Sequence, residues 1–126
     1  MTITFRHYGK FERMEKFLNG LNKSVIQAIL EKYGQEGVSA LSAATPKDTG
    51  LTSQSWGYKI TANKDRYNLI WTNSNESEGI PIVVLIQYGH GTGSGGFVQG
   101  RDFINPAIRP ILDRIAEELS KEVTKL

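Results

Sequence analysis

The amino-acid sequence predicts an α+β fold, with helices packed on a small antiparallel sheet and a long Gly-rich loop before an amphipathic C-terminal helix. Two observations lead to this prediction. Apolar residues recur three and four positions apart in several segments, as in helices with one buried face, whereas two central segments alternate as half-buried strands do. With 126 residues, 39% hydrophobic and 22% charged, the chain suits a single domain, residues 1–126, around one core.

The first part of the chain predicts a strand and two helices. Residues 2–7 alternate and predict a short strand, while residues 10–21 and 23–44 have helical spacing. The second helix should end at Thr45-Pro46, because the residue before a proline avoids the helical region. Its apolar stripe comprises Ile26, Ile29, Leu30, Tyr33, Gly37, Ala40, Leu41 and Ala44.

Two glycines inside this second helix have two possible explanations. Gly34 and Gly37 each cost roughly 1 kcal/mol relative to alanine within a helix. They are either a tolerated weakness or, with Ala40, Ala43 and Ala44, a thin face that lets another element approach closely. Both explanations fit the sequence equally well.

The middle of the chain predicts a β-hairpin. Residues 56–62 and 67–73 both alternate, and the turn-forming Asn63-Lys64-Asp65 lies between them. Residues 73–79 predict a polar loop. Residues 80–88 are rich in β-branched side chains, as strands are, but Pro81 and Gly89 stand where a short helix would begin and end. We favour a buried two-turn helix for this segment.

The last element is predicted to be a helix that starts with Asn105 as N-cap and Pro106 as its first residue. Pro110 should kink the helix or delay its start. The spacing predicts exposed ion pairs between Arg114 and Glu118 and between Glu117 and Lys121. The apolar stripe comprises Ile108, Ile111, Leu112, Ile115, Ala116, Leu119 and Val123.

The segment from Tyr88 to Arg101 contains six glycines and no charged side chain before Arg101. No Lys or Arg occurs between residues 67 and 100, although a loop that grips phosphates or nucleic acid normally brings cations with it. Residues 91–96 match the GxGxxG pattern of dinucleotide-binding proteins but lack its strand–turn–helix context. The segment therefore predicts docking to protein, with no cofactor.

Catalytic and metal sites find little support in the sequence. There is no cysteine, and His7 and His90 are the two histidines, without the companions that a metal site needs. His90 is expected to hydrogen-bond loop backbone or a neighbouring subunit; a small soluble enzyme that pairs His90 with Asp102 is one alternative function. A nucleic-acid-binding regulatory domain is another, since residues 1–32 hold six of the fifteen cations.

The turn after the second helix, Lys47-Asp48-Thr49-Gly50, has a structural interpretation: Asp48 and Thr49 satisfy loop amides while Gly50 takes a positive φ. No apolar run approaches the roughly 18 residues that a membrane helix needs, and the first residues lack the features of a secretory signal. These observations predict a protein made in a cytosol, without a membrane partner.

Several motifs together resemble a small-protein family of long-tailed bacteriophages. The matching segments are an Ala-rich helix followed by Pro46-Lys47-Asp48-Thr49-Gly50-Leu51, then Tyr88-Gly89-His90-Gly91-Thr92, and finally the helix start Asn105-Pro106-Ala107-Ile108-Arg109-Pro110. They occur in the family's order and span nearly the whole chain. The family comprises tail components, described as head–tail joining or tail-completion proteins. This chain departs from it in its long Gly/Ser loop.

The resemblance implies a non-enzymatic structural subunit of a phage or prophage particle, with no catalytic, cofactor or metal residues. It implies a hexameric ring at the neck, next to head-completion and tail-tube proteins, with passive contact at most to DNA in the channel. The subunit would be made and assembled in the bacterial host cytoplasm and would reside in the virion. The expected partner-binding residues are Asp48, Thr49, Gly50, His90, Thr92, Phe97, Val98 and Arg101.

Overall fold

The fold contains a three-stranded antiparallel sheet, and a long helix packs on one of its faces. The computed structural model describes residues 2–4, 23–46, 50–63 and 66–124. Strand β3 (Arg66–Asn73) lies between β1 (Thr2–Thr4) and β2 (Trp56–Asn63). The predicted hairpin is therefore confirmed, as is the first strand over residues 2–4. Residues 5–7 of that prediction, the helix predicted at 10–21 and the turn at 64–65 lie outside the described residues.

The register of the sheet places the aromatic side chains of the hairpin on one face. Tyr58 lies opposite Trp71, and Ile60 lies opposite Leu69. Because side chains alternate along a strand, these four residues share a face. Trp71 is fully buried, and the other three pack against the core. The alternation seen in the sequence thus corresponds to one buried face of the sheet.

Helix α1 (Lys23–Ala44) packs on that face through its two glycines. A Cβ atom at Gly34 would lie 2.5 Å from Cδ2 of Tyr58, and one at Gly37 would lie 2.5 Å from Cε2 of Trp71. The Nε1 of Trp71 donates a hydrogen bond of 3.0 Å to the carbonyl of Gly34. The glycines therefore serve close approach, the second of the two explanations. Ala43 is exposed and does not belong to the thin face.

Helix α4 (Ile104–Thr124) packs against α1. The predicted N-cap at Asn105 is wrong, because the helix begins at Ile104 and the N–H of Asn105 donates to Oδ1 of Asp102 at 3.3 Å. Pro110 lies inside the helix and does not delay its start. Among the residues of this helix whose side chains the structure describes, the buried ones are Ile104, Ile108, Ile111, Ile115 and Leu119.

Ion pairs connect the two long helices. Arg114 pairs with Glu36 at 3.2 Å, so the predicted pair between Arg114 and Glu118 is wrong. Glu118 accepts from Lys32 at 2.9 Å and from the hydroxyl of Tyr33 at 2.7 Å, and both contacts lower the pKa of its carboxyl, the hydrogen bond from Tyr33 contributing most. The predicted pair between Glu117 and Lys121 is confirmed at 3.5 Å.

Four further elements of the described chain precede the Gly-rich segment. They are helix α2 (Gly50–Ser53), strands β4 (Glu76–Ser77) and β5 (Ile80–Pro81), and helix α3 (Ile82–Tyr88). The helix favoured for residues 80–88 is confirmed over residues 82–88. The predicted polar loop contains β4, which pairs with β5 through a turn in which Glu78 and Gly79 have φ of 52° and 78°.

Candidate docking surface

The segment predicted as a long Gly-rich loop lies before α4, as expected, and it contains a β-hairpin. Strand β6 (Gly89–Gly91) pairs with strand β7 (Phe97–Gln99) in antiparallel register. We call residues 89–100 the glycine hairpin. It follows α3 directly and leads into α4, so it forms the connection between these two helices.

Close backbone contact at the base of the glycine hairpin accounts for two of its glycines. A Cβ at Gly89, where φ is 82°, would lie 2.5 Å from the carbonyl oxygen of Val98. A Cβ at Gly100 would lie 2.6 Å from the carbonyl carbon of Tyr88 and 2.7 Å from the carbonyl oxygen of Gln87. Backbone atoms cannot move aside as a flexible side chain can, so both positions require glycine.

The tip of the glycine hairpin is held by its own hydrogen bonds. The N–H of Thr92 donates to the carbonyl of Gly96 at 3.1 Å, and the N–H of Gly96 donates to the hydroxyl of Thr92 at 3.2 Å. Gly93 and Gly95 have φ of 80° and 91°, which side chains of L-residues rarely adopt. Thr92, expected to bind a partner, thus also closes the tip, and its side chain is exposed.

The two faces of the glycine hairpin differ. His90 lies opposite Val98 on one face, whereas Phe97 lies on the other, opposite Gly91. The ring of Phe97 crosses to Gly89, where a Cβ would lie 2.9 Å from its Cζ. An aromatic ring placed over a glycine in this way covers backbone that no side chain protects. Phe97 and Val98 are adjacent in the sequence, but their side chains therefore point in opposite directions.

Large apolar side chains of this region are exposed. The exposed fraction is 74% for Tyr88, 66% for Phe97 and 45% for Val98. Arg101, one of the expected partner-binding residues, is also exposed, while its backbone N–H donates to the carbonyl of Ile86 at 2.9 Å. The backbone of the segment is thus fixed to the fold while its apolar side chains face outward.

His90 and Asp102 do not form the arrangement that a hydrolytic site would need. Oδ1 of Asp102 accepts from Nε2 of Gln87 at 2.7 Å and from the N–H of Asn105 at 3.3 Å, which are contacts of a helix cap. Nδ1 of His90 is buried and has no hydrogen-bond partner among the described residues. The hydrogen bond expected from His90 to loop backbone is therefore not made through this atom.

The expected partner-binding residues outside the Gly-rich segment are Asp48, Thr49 and Gly50, which follow α1, and the structure describes the last of them. Asp48 and Thr49 lie outside the described residues, and Gly50 is the first residue of α2. The positive φ predicted for Gly50 is wrong, because helical residues have negative φ. Leu51, which follows it, is 64% exposed.

Buried hydrogen bonds connect α2 with the end of β3. Nδ2 of Asn73 donates to the carbonyl of Thr52 at 2.9 Å, and Nδ2 of Asn75 donates to the hydroxyl of Thr52 at 2.7 Å. Nearby, Nε1 of Trp56 donates to the hydroxyl of Thr45 at 2.8 Å. These polar groups are satisfied inside the fold, so this segment is firmly attached while Leu51 faces outward.

Two residues near the glycine hairpin are not among the partner-binding residues expected from the sequence. Tyr88 was assigned to a buried helix, yet its side chain is the most exposed of the large apolar side chains named above. Gln87 is buried and bonds to the start of α4. The sequence does contain a signal for Gln87, since it is a single amide in an otherwise apolar segment. A buried polar side chain needs hydrogen-bond partners, so such a residue is expected to connect elements of the fold.

Comparison with known proteins gives no relative: neither a protein-family model, nor a curated protein, nor a solved structure matches the chain. Within the described ranges, no group of three or more His, Cys, Asp or Glu side chains could hold a metal ion. The helices of that part of the chain include none that is long and apolar enough to span a bilayer. The exposed apolar side chains of the glycine hairpin, Phe97 and Val98, form the candidate docking surface.

Proposed function

We propose that this protein is a non-enzymatic structural subunit of a phage or prophage particle, a tail-completion or head–tail joining component that assembles at the neck. The observation that carries the proposal is the glycine hairpin, whose backbone is fixed to the fold while Phe97 and Tyr88 are mostly exposed. The resemblance of the order of these motifs to that of the phage family supports the same function.

The side chains of the glycine hairpin suit docking to protein. Aromatic residues supply much of the binding energy at protein interfaces when a partner pocket encloses them. The hairpin contains no Asp, Glu, Lys or Arg, so its burial would not require the desolvation of any of these charged side chains. Phe97 is the proposed anchor, and Arg101 lies where the hairpin meets the body of the protein.

A ring of copies would use the exposed residues of the glycine hairpin as one of its two contact surfaces. When one surface of a subunit binds a different surface of the next, the contact is heterologous, and it closes into a ring if the rotation allows. We propose that the glycine hairpin of each copy contacts its neighbour or an adjacent neck protein. The ring is proposed to be hexameric, with head-completion and tail-tube proteins above and below it.

Purified particles test this proposal. A peptide tag can be added at the C-terminal end of the chain in the genome that encodes it, and particles can then be purified and imaged with gold-labelled antibody. We expect the label at the neck of tailed particles, with a constant number of copies in each particle. Tailed particles that lack the protein, or label spread over the capsid, would contradict the proposal.

A further inference from the structure

Gln87 is a buried polar side chain at the end of the otherwise apolar helix α3. Its Nε2 donates to Oδ1 of Asp102 at 2.7 Å, and its Oε1 accepts from the N–H groups of Phe103 and Ile104 at 3.1 and 3.2 Å. The residue is only 8% exposed. Both ends of its amide are therefore used, and all three partners lie beyond the glycine hairpin in the chain.

These partners form the start of helix α4. The first N–H groups of a helix have no partner within the helix. Gln87 accepts from two of the N–H groups at this end, and Asp102 accepts from that of Asn105. The cap of α4 is thus supplied partly by the last turn of α3, which connects the two helix ends through side-chain hydrogen bonds.

The glycine hairpin leaves and re-enters the fold at this connection. Tyr88 follows Gln87 directly, and on the returning side a Cβ at Gly100 would lie 2.7 Å from the carbonyl oxygen of Gln87. The N–H of Arg101 donates to the carbonyl of Ile86 at 2.9 Å. Any change in how α3 meets the start of α4 therefore changes the direction in which the hairpin points.

We propose that Gln87 is a positioning residue for the glycine hairpin. Its amide fixes the orientation of the hairpin relative to α4, and so presents Phe97 at a fixed place on the surface. The link from orientation to docking rests on the function proposed above. A hairpin without this connection would have to be ordered on binding, and that cost weakens association.

Exchanging the donor and the acceptor of the hydrogen bond between Gln87 and Asp102 tests the role of Gln87. In Q87E the carboxylate still accepts from Phe103 and Ile104, but it cannot donate to Asp102 and it places a like charge beside it. In Q87E/D102N the new amide at position 102 donates to the new carboxylate at position 87, and the amide oxygen remains available to Asn105. If Gln87 merely fills space, the second substitution will restore nothing.

Spin labels measure the orientation directly in the isolated protein. The chain has no cysteine, so S94C at the hairpin tip and S120C on α4, both at exposed positions, accept one nitroxide each. We expect a narrow distance distribution for the parent and again for Q87E/D102N. In Q87E the displaced fraction should rise about fivefold or more, because a hydrogen bond to a charged group is lost.

A matched control separates positioning from general destabilisation. I115V removes one methyl group from the core about three turns along α4 and should lower the melting temperature by roughly 4 °C. We expect it to leave the distance distribution narrow. An unchanged distribution in Q87E would overturn the proposal, and so would a distribution that stays broad in Q87E/D102N.

Particle yield from the same alleles tests the proposed function separately. We expect Q87E to reduce the yield and Q87E/D102N to restore it, in parallel with the distance distributions. If the distributions behave as expected but no variant changes the yield, Gln87 positions the hairpin and the assembly function is wrong. If the distribution of Q87E is unchanged, the positioning role itself is wrong.

Discussion

Glycine allows close contact in two regions, which are the interface between α1 and the sheet and the base of the glycine hairpin. The neighbouring aromatic side chain is buried in the first region and exposed in the second. In α1, Gly34 and Gly37 make room for aromatic rings, and Trp71 becomes fully buried. At the hairpin, Gly89 and Gly100 bring backbone against backbone, and Phe97 remains outside. The first arrangement buries aromatic side chains in the core, whereas the second leaves an aromatic side chain on the surface.

The largest effect on stability is expected from substitution in the helix. G37A should lower the free energy of unfolding by about 2 kcal/mol, because the clash with the buried indole of Trp71 outweighs the gain in helix propensity. Thermal melting of G37A and G57A measures it. G57A is the matched control, since a Cβ there would lie at an ordinary 3.7 Å from Oγ1 of Thr72. A G37A protein more stable than the parent would show that the interface is loose.

Substitution at the base of the glycine hairpin should act locally. G100A should open the base and speed amide exchange at Arg101 by about 30-fold, equivalent to about 2 kcal/mol, with a smaller fall in melting temperature than G37A. G91A is the control, because its nearest contact would be 3.9 Å away. If the amide of Arg101 exchanges equally fast in G100A and G91A, the backbone at Gly100 is not in close contact with residues 87–88 in solution.

A smaller, pH-dependent effect is expected where α4 meets α1. The contacts of Glu118 with Tyr33 and Lys32 hold its pKa below the ordinary value of about 4.3, so the unfolded chain binds more protons in that range and stability rises with pH. E118Q should cost about 1 kcal/mol at pH 7, allowing for solvent screening. This difference should vanish as the pH falls through the folded-state pKa.

Denaturant unfolding of the parent, E118Q and E117Q across pH 2–7 measures this contribution. Glu117 contacts Lys121 on the surface at 3.5 Å, so E117Q serves as the control and should change little. A cost for E118Q that stays constant down to the lowest pH would mean that the ionised carboxylate does not stabilise the pair of helices.

Local patterns in the sequence predicted the main elements well. Helix α1 was expected over residues 23–44 and is observed there, because its apolar spacing is regular and Thr45-Pro46 ends it. The hairpin of β2 and β3 was expected because both strands alternate across a short turn. These features depend on neighbours in the chain, which a sequence displays directly.

Contacts between distant residues could not be predicted in this way. The purpose of Gly34 and Gly37 depends on rings that arrive from the sheet. Arg114 was expected to pair with Glu118, one turn away, but reaches Glu36 on another helix instead. Gln87 supplies part of the cap of α4, but it lies on the other side of the glycine hairpin in the sequence. Local patterns therefore favour Asn105 as the N-cap and do not reveal Gln87.

The glycine content also concealed the strands of the glycine hairpin. Once β6 and β7 are known, alternation places Phe97 and Val98 on opposite faces. The sequence alone presented them as one apolar pair in a loop. The proposed partner-binding residues on this segment are therefore divided between two faces, and Phe97 is the more exposed of the two apolar side chains.

The most direct measurement of the central claim is particle yield from an F97S allele, compared with the melting temperature of the purified variant. I80S is the matched control, because Ile80 is an apolar residue outside the hairpin that is 48% exposed. We expect the melting temperature of F97S to stay within about 2 °C of the parent, as for surface substitutions. The yield should fall at least tenfold, in line with an anchor worth about 2 kcal/mol or more, while I80S assembles normally. Normal yield from F97S, or a fall of several degrees in its melting temperature, would contradict the claim that the glycine hairpin is an assembly surface.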